Sequence, residues 1–301
     1  MWVKAAIVVA ISASLALADE PQVGQAWTGN AVITGGKGYA PTPMGQVHYR
    51  DVGPRDTRVP FFLVHQSPMS MMEFAPVQNA LAEMNIRSVM IDTPGYGNSD
   101  MPKTMPTLDQ LADNMVEVMD YLKLPKVAIA GHHTGAGIVT AFAGRHSDRL
   151  AAFIVHGVPL ANTEDRLVLR DRKRPFAGQP MADGSHFTRQ FPPPKPDQPP
   201  PTVEKLAHQT WMAIGIEQAG YNLFPVLYAY DLIPDAKRIS VPGLILSDKQ
   251  DVVYKGSLLF KELRPDFTYI EFSQGNEDEM YLRAKEWAKL VADWVAKNAR
   301  P

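Results

Sequence analysis

Short apolar runs alternate with amphipathic segments from about residue 46 to the C-terminus. Apolar residues at helical spacing predict helices near residues 71–84, 108–121, 136–146, 255–262 and 280–299. Between them, seven short apolar runs are typical of buried strands, at residues 47–51, 61–65, 87–92, 127–131, 151–156, 243–247 and 268–272. Strands that alternate with helices predict an α/β fold, with a mainly parallel sheet and helices on both faces. Because ligands of such sheets bind beyond the carboxyl ends of the strands, we expect the chemistry in the loops that follow them.

The alternation stops between residues 159 and 239. This stretch contains a charged run, a proline tract at residues 192–201 and then an apolar helical pattern. A proline tract is extended and stiff. We interpret residues 159–239 as a cap insertion over the strand ends, in a core formed by residues 19–158 and 240–301. The alternative is a long loop with two packing helices and no role at a site. Residues 19–44, rich in Gly, Pro and Thr, predict an N-terminal arm with an edge strand.

The first eighteen residues have the pattern of a secretory signal peptide. Lys4 precedes an apolar stretch at residues 5–15, and Ala16-Leu17-Ala18 suits a signal peptidase. The sequence therefore predicts export to the periplasm or the medium, with cleavage near Ala18/Asp19. The apolar stretch is shorter than the roughly 20 residues of a spanning helix, so no stable membrane anchor is expected after cleavage. An uncleaved anchor or a buried N-terminal helix is the alternative.

Charge and cysteine content exclude several kinds of partner and site. The 301 residues include 30 basic and 32 acidic side chains, a formal net charge of −2, which gives no electrostatic basis for binding nucleic acid. The chain has no cysteine, which excludes disulfides, a thiolate nucleophile and cysteine-based metal sites. No H-E-x-x-H pattern supports a zinc site either. We expect neither a metal nor a cofactor, and a small molecule as the substrate.

The segment Gly131-His132-His133-Thr134-Gly135 lies between a predicted strand and a predicted helix. This is the context in which G-x-S-x-G forms a nucleophile elbow. With four further segments it resembles the α/β-hydrolase superfamily, over about residues 44–298 except the cap. Those segments are an early strand pair at 46–53, an H-Q-[ST]-P version of the oxyanion loop at 62–68, a D-x-x-G-x-G-x-S-D loop at 90–100 and an acid-bearing turn at 244–251. The H-Q-[ST]-P loop together with the G-H-H-T-G elbow resembles one subgroup of that superfamily.

Two of the three usual catalytic residues differ from the superfamily pattern. His133 occupies the nucleophile position, and Asn276-Glu277 stands where the loop at 272–277 normally offers the catalytic histidine. All eight histidines lie at or before His208. We predict that His133 reaches a carboxylate, Asp251 at the acid turn or Glu277 in the last loop, with Asp248 as the second choice of acid. A His–carboxylate pair is suited to general-base catalysis, and histidine can also serve as a covalent nucleophile.

The resemblance also implies an oxyanion hole made of backbone N–H groups. By motif position these belong to Gln66 and Thr134, while Gln66 replaces the usual glycine of the loop. We predict substrate contacts for His65, His132 and Asn276, although His65 is better suited to orienting the oxyanion loop than to acting on the substrate. The side chains of His132 and His133 are expected to diverge. His156 ends a strand, where it is suited either to the site or to the core.

These residues predict a cofactor-independent enzyme that acts on a carbonyl-containing small molecule. Hydrolysis of an ester, a lactone or an activated C–C bond is the leading hypothesis, with His133 as base or nucleophile. A lyase, isomerase or decarboxylase using the same His–carboxylate pair is the first alternative. The second is a binding protein that has lost catalysis. A carboxylate within hydrogen-bonding distance of His133 favours an enzyme.

Overall fold

The computed structural model describes residues 36–171, 182–185, 206, 210, 214–215, 219–272 and 279–301. The predicted signal peptide, about half of the predicted cap, Asn276 and Glu277 lie outside these residues. Export and the covering role of the cap therefore stay predictions.

The described strands form one eight-stranded sheet in the order β1-β2-β4-β3-β5-β6-β7-β8. β1 and β2 pair antiparallel, and β2 pairs antiparallel with β4, whereas the strands from β4 through β3 to β8 run parallel. The mainly parallel sheet is as predicted, and β1 is the expected edge strand. The strands are Lys37–Thr42, Gly45–Val52, Phe61–Val64, Ser88–Ile91, Val127–His132, Leu150–His156, Gly243–Asp248 and Thr268–Phe272.

Helices cover both faces of this sheet. β3 to β7 are buried along their whole length, as a parallel sheet between two helical layers requires. One apolar core contains residues of α2 and α3, and the other contains residues of α1 and α9. In chain order the described helices are α1 Ala75–Glu83, α2 Leu108–Tyr121, α3 Thr134–Arg145, α4 Thr163–Asp171, α5 Leu223–Ala229, α6 Ile233–Arg238, α7 Tyr254–Leu263, α8 Glu279–Leu282 and α9 Ala284–Asn298.

Local sequence explains where two of the helices begin. α2 begins as predicted because Thr107 and Gln110 form a capping box before it. The helical segment predicted near residues 71–84 occurs in two parts. A 3-10 turn at Met71–Phe74 precedes α1, whose first turn contains Pro76, a residue tolerated there because it lacks an N–H group. The helix predicted over 280–299 likewise divides at Arg283 into α8 and α9.

Part of the predicted cap segment packs with the core. A Cβ atom at Gly137 of α3 would overlap the Leu227 side chain, and one at Gly144 would lie 2.6 Å from the Asp235 Cα. Leu223, Leu227 and Ala236 belong to the same apolar core as α3. Residues 223–238 therefore form a layer against α3, and their role as a cover over the strand ends stays a prediction. Within the part of the chain that the structure describes, no helix is long and apolar enough to cross a membrane.

Candidate active site

His133 lies at a tight turn between β5 and α3, at the carboxyl end of a central strand. Its backbone has φ 45° and ψ −113°, a conformation that side-chain-bearing residues rarely adopt. The flanking glycines make the turn possible. A Cβ atom at Gly135 would overlap the carbonyl oxygen of Val64, and one at Gly131 would lie 2.5 Å from the carbonyl oxygen of Gly135. The Gly-x-His-x-Gly spacing is thus required by the close approach of the strand, the turn and the helix.

The His133 imidazole pairs with Asp251, which follows β7. Its Nε2 lies 3.0 Å from Asp251 Oδ1 and 3.1 Å from Oδ2, and the two side chains are 10% and 0% exposed. Asp251 Oδ1 also accepts the Val253 backbone N–H at 2.9 Å. Burial would raise the pKa of Asp251, but the hydrogen bond and charge of His133 outweigh burial and hold that pKa below its ordinary value. Asp251 is therefore an ionised acceptor at neutral pH.

An ionised Asp251 fixes the tautomer of His133. The imidazole donates its Nε2–H to the carboxylate, which leaves the basic lone pair on Nδ1. This is the arrangement that a general base or an imidazole nucleophile needs. Gly157, at φ +60°, lies directly against the pair, since a Cβ atom there would overlap Asp251 Oδ2 and lie 2.7 Å from His133 Nε2.

The side chains of His132 and His133 do not diverge. Their ring centroids are 4.1 Å apart, because the turn at His133 brings its ring back over the end of β5. His132 is fully buried, and its Nδ1–H donates to Glu73 Oε1 at 2.7 Å. Burial and the neighbouring His133 lower the pKa of His132 to about 4, so it is neutral at pH 7. The Nδ1 side of the ring therefore faces a buried acid, and the predicted substrate contact of His132 stays a prediction.

Glu73 is the residue of this region that the sequence interpretation missed. Its carboxylate accepts the Gln66 backbone N–H at 2.8 Å, the Gln66 side-chain amide at 2.8 Å and His132 at 2.7 Å. Burial would raise its pKa, but His132 and the Gln66 N–H outweigh burial and lower the pKa of Glu73 to about 2. The sequence feature that could have indicated Glu73 is that it is an acid inside the otherwise apolar segment Met71–Phe74. A buried charge at such a position requires hydrogen-bonding partners.

His65 bonds to backbone groups through both ring nitrogens. Its Nδ1–H donates to the Gln66 carbonyl oxygen at 2.7 Å, and its Nε2 accepts the Thr93 backbone N–H at 3.0 Å. The side chain is buried. These contacts are those expected of a residue that orients the loop after β3, and the predicted substrate contact of His65 stays a prediction.

Both N–H groups of the loop after β3 are bonded within the protein. The Gln66 N–H, predicted as a donor, is held by the Glu73 carboxylate. The next N–H group, that of Ser67, donates to Thr134 Oγ1 at 2.5 Å. Thr134 opens α3, and the first bond of that helix runs from Gly137 N–H to the His133 carbonyl oxygen. The Thr134 N–H therefore lies at the helix N-terminus, where the dipole favours negative charge. Thr134 stays the candidate donor, whereas the Gln66 N–H faces a carboxylate.

Asp248, the second choice of acid, pairs with a different histidine. His156 at the end of β6 donates its Nε2–H to Asp248 Oδ2 at 2.7 Å. Its Nδ1 accepts the indole N–H of Trp287 from α9 at 3.2 Å. His156 is buried, and its ring lies 5.5 Å from that of His132. Asp248 is therefore bonded to His156. Among the described residues, Asp251 is the carboxylate that pairs with His133.

No metal centre occurs among the residues whose positions are described: they contain no group of three or more His, Asp or Glu side chains placed to hold an ion. Asn276 and Glu277, predicted for substrate contact and catalysis, lie outside the described residues.

Comparisons with known proteins identify relatives of this architecture. Residues 59–188 match the model of the alpha/beta hydrolase fold family. The chain is 27% identical to a bifunctional esterase/perhydrolase of Acinetobacter calcoaceticus over 235 residues, which cover 72% of this chain and 83% of that protein. It is also 27% identical to 3-oxoadipate enol-lactonase 2 of Acinetobacter baylyi over 169 residues, 55% of this chain and 61% of that protein.

Solved structures show the same likeness in three dimensions. The enol-lactonase of Burkholderia xenovorans LB400 superimposes with a TM-score of 0.64 at 22% identity, covering 86% of this chain and all of that one. An esterase of Exiguobacterium antarcticum gives a TM-score of 0.67 at 19% identity, covering 86% of this chain and 98% of that one. Identities this low speak for the fold and not for the reaction.

Proposed function

We propose that this protein, whose fold is that of the α/β-hydrolase superfamily as predicted, hydrolyses an ester or a lactone of a small molecule. The fold places the elbow, the acid turn and the oxyanion loop at the carboxyl ends of the parallel strands. An esterase/perhydrolase and an enol-lactonase are among the relatives. Both names describe attack on an acyl carbon, the chemistry for which an elbow and an oxyanion hole are built.

The observation that carries the proposal is the distance of 3.0 Å between the elbow histidine and the buried carboxylate of Asp251. We infer that His133 Nδ1 takes a proton from water as the water oxygen attacks the carbonyl carbon. The carbonyl oxygen becomes an oxyanion, which the Thr134 N–H at the N-terminus of α3 stabilises. When the tetrahedral intermediate collapses, the alkoxide leaves and takes the proton back from the imidazolium. Acid and alcohol are released, and Asp251 stays ionised throughout.

A covalent route uses the same atoms in another order. His133 Nδ1 attacks the carbonyl carbon, and the leaving alkoxide takes a proton from solvent. Water then hydrolyses the acyl-imidazole, which releases the acid and returns the imidazole. Acid-quenched mass spectrometry separates the two routes, because only the covalent one adds the acyl mass to the elbow peptide.

Two other functions use parts of the same site. A lyase, isomerase or decarboxylase needs only the His133–Asp251 pair, without water attack. A binding protein needs neither. The ionised state of Asp251 favours catalysis over binding alone, because an ionised partner for a histidine at a strained turn is typical of a general base.

The test is turnover of aryl esters, aliphatic lactones and enol lactones by the wild type and by His133→Ala. We expect His133→Ala to lower kcat by about 10²–10⁴, the usual effect of losing a general base, with a smaller change in KM. His146→Ala is the matched control. His146 follows the other end of α3, where it pairs with Asp113 at 2.7 Å, so its loss should leave kcat unchanged.

Several outcomes would contradict the proposal. Equal rates for wild type and His133→Ala would remove His133 from the mechanism. Stoichiometric labelling of a serine by a fluorophosphonate would move the nucleophile to that serine. No turnover of any ester or lactone, with turnover of a β-keto acid or a cyanohydrin, would favour the lyase alternative.

A further inference from the structure

The N–H groups of Ser67 and Thr134 belong to segments far apart in the chain. Ser67 lies in the loop after β3 and donates its N–H to the Oγ1 of Thr134, at the start of α3, at 2.5 Å. The Thr134 N–H can stabilise an oxyanion only when the groups around it are held to within a few tenths of an ångström. Something must therefore hold the loop against the elbow.

Glu73 contacts both segments beside these donors. One carboxylate oxygen accepts the backbone N–H of Gln66, the residue before Ser67. The other accepts the Gln66 side-chain amide and the Nδ1–H of His132, two residues before Thr134. We call Gln66, Glu73 and His132 the loop anchor. Through it, one side chain of the 3-10 turn ties the oxyanion loop to the end of β5.

The charge of Glu73 makes these bonds strong. The side chain is buried, and its pKa of about 2 leaves it ionised at every pH at which the protein would work. Hydrogen bonds to an ionised acceptor are shorter and about twice as strong as neutral ones. A buried carboxylate with three donors therefore keeps both segments in one geometry, because releasing any donor would leave charge unpaired.

The loop anchor also explains why residue 66 is a glutamine and not the glycine that is usual in this loop of the superfamily. Only a side chain with an N–H group can donate to Glu73 in addition to the backbone N–H, and glycine has none. The amide of Gln66 supplies that second donor at 2.8 Å. The backbone bond to Glu73 takes the Gln66 N–H away from the substrate, and the Ser67 N–H donates to Thr134 Oγ1.

We propose that Glu73 is a positioning residue that holds the loop after β3 against the elbow and so fixes the Thr134 N–H for the developing oxyanion. This inference rests on the function proposed above. Glu73 does not touch the substrate, and its effect reaches the reaction only through the loop and the elbow. Its loss should therefore weaken binding of the transition state and leave binding of the ground state nearly unchanged.

The test compares Glu73→Gln with the wild type. We expect kcat to fall by about 10²-fold, the usual cost of a misplacement near 1 Å, and KM to change little. The inhibition constant of an alkylphosphonate monoester, which mimics the tetrahedral oxyanion, should rise in parallel. That of the amide analogue of the substrate, a ground-state mimic, should stay the same. Gln78→Met is the control, since Gln78 is a buried side chain of α1 that donates to the carbonyl oxygens of Arg50 and Ser88 at 3.0 Å.

Gln66→Ala provides the second variant if Glu73→Gln does not fold. It removes one donor and keeps the charge, so the same pattern is expected with a smaller loss, about tenfold in kcat. Amide hydrogen exchange supplies a readout independent of activity. The N–H of Gln66 should exchange faster in Glu73→Gln than in the wild type. In Gln78→Met its exchange rate should equal that of the wild type.

The outcomes separate this inference from the proposed function. Unchanged kcat and phosphonate inhibition in a folded Glu73→Gln variant would overturn the inference. It would also be overturned if both inhibitors bound equally more weakly to Glu73→Gln and Gln78→Met lost the same activity. If the wild type hydrolyses no ester or lactone, the proposed function fails, and the exchange rate of Gln66 still decides whether Glu73 anchors the loop.

Discussion

At the scale of single residues, the candidate chemistry depends on His133 holding an unfavourable backbone conformation. A non-glycine residue in such a region costs about 1–3 kcal/mol, which the surrounding structure must offset. The His133 N–H donates to the His156 carbonyl oxygen at 3.1 Å, and its own carbonyl accepts the first bond of α3. These bonds keep the ring above β5, where Asp251 is within reach.

Gly157 offers a direct test of that geometry. Gly157→Ala places a Cβ atom into the space of the His133–Asp251 pair, so the imidazole and carboxylate must separate. We expect kcat to fall by about 10²-fold, as for other displacements near 1 Å. The measurement is kcat on a substrate found for the wild type.

Gly184→Ala is the matched control for Gly157→Ala. Gly184 has a similar positive φ of +70°, but no atom lies within 4 Å of the Cβ position. The Gly184→Ala variant therefore adds the same kind of backbone strain without a clash, and its kcat should equal that of the wild type. Equal activity of the two variants would show that the His133–Asp251 contact is not needed for turnover.

At the scale of elements, three neighbouring strands end in a buried polar layer. His132 of β5 and His156 of β6 are register partners, and Asp248 ends β7 beside them. Trp287 of α9 closes this layer by donating its indole N–H to His156. The helix thereby fixes the tautomer of His156, and His156 in turn holds Asp248 away from His133.

Trp287→Phe should lower the free energy of unfolding by about 1–3 kcal/mol, because the buried His156 Nδ1 loses its donor. The edge-to-face contact with Phe74 stays possible for a phenyl ring. Urea unfolding measures the loss. Trp294→Phe is the control on the same helix. Its indole N–H donates to Thr268 Oγ1 near the surface, so its effect should stay within about 0.5 kcal/mol. Equal losses would contradict the role given to the indole of Trp287.

At the scale of the whole molecule, the loop anchor predicts sensitivity to acid. The folded pKa of His132, about 4, is below the ordinary 6.5, so the unfolded chain binds a proton first as the pH falls. The folded pKa of Glu73, about 2, is below the ordinary 4.5, with the same consequence at lower pH. Stability is thus fully present above pH 6.5 and decreases as the pH falls from 6.5 towards 2.

Urea unfolding at pH 7.5, 6.5, 5.5, 4.5, 3.5 and 2.5 would check this sign. We expect the free energy of unfolding to fall continuously below pH 6.5. Glu73→Gln removes the lower part of the window, between pH 4.5 and 2, so its decrease there should be shallower. A stability that is constant or rises between pH 6.5 and 4.5 would contradict the neutral, buried state of His132.

Much of the fold was predictable because its signals are local. A strand buried on both faces must be a short apolar run, and a helix such as α2 begins where a capping box satisfies its first N–H groups. The glycines around His133 are local signals too, since a strand, a sharp turn and a helix cannot meet without them. The order of these motifs also predicted the loop in which Asp251 lies.

The partner of each side chain was decided only by the tertiary structure. Glu73 and His132 are 59 positions apart, and Ser67 and Thr134 are 67 apart. Such contacts depend on how several packed elements orient their side chains, which no local pattern records. For this reason the sequence interpretation gave the oxyanion donor to Gln66 and missed the buried acid that holds it.

The sequence by itself determined that a histidine stands at the elbow of an α/β sheet, because covalent order and local sterics set that position. The tertiary structure decided that Asp251 faces this histidine, while Glu73 and Asp248 face His132 and His156. Three acids and three histidines allow many pairings, and burial selects the one in which the carboxylates are best supplied with donors.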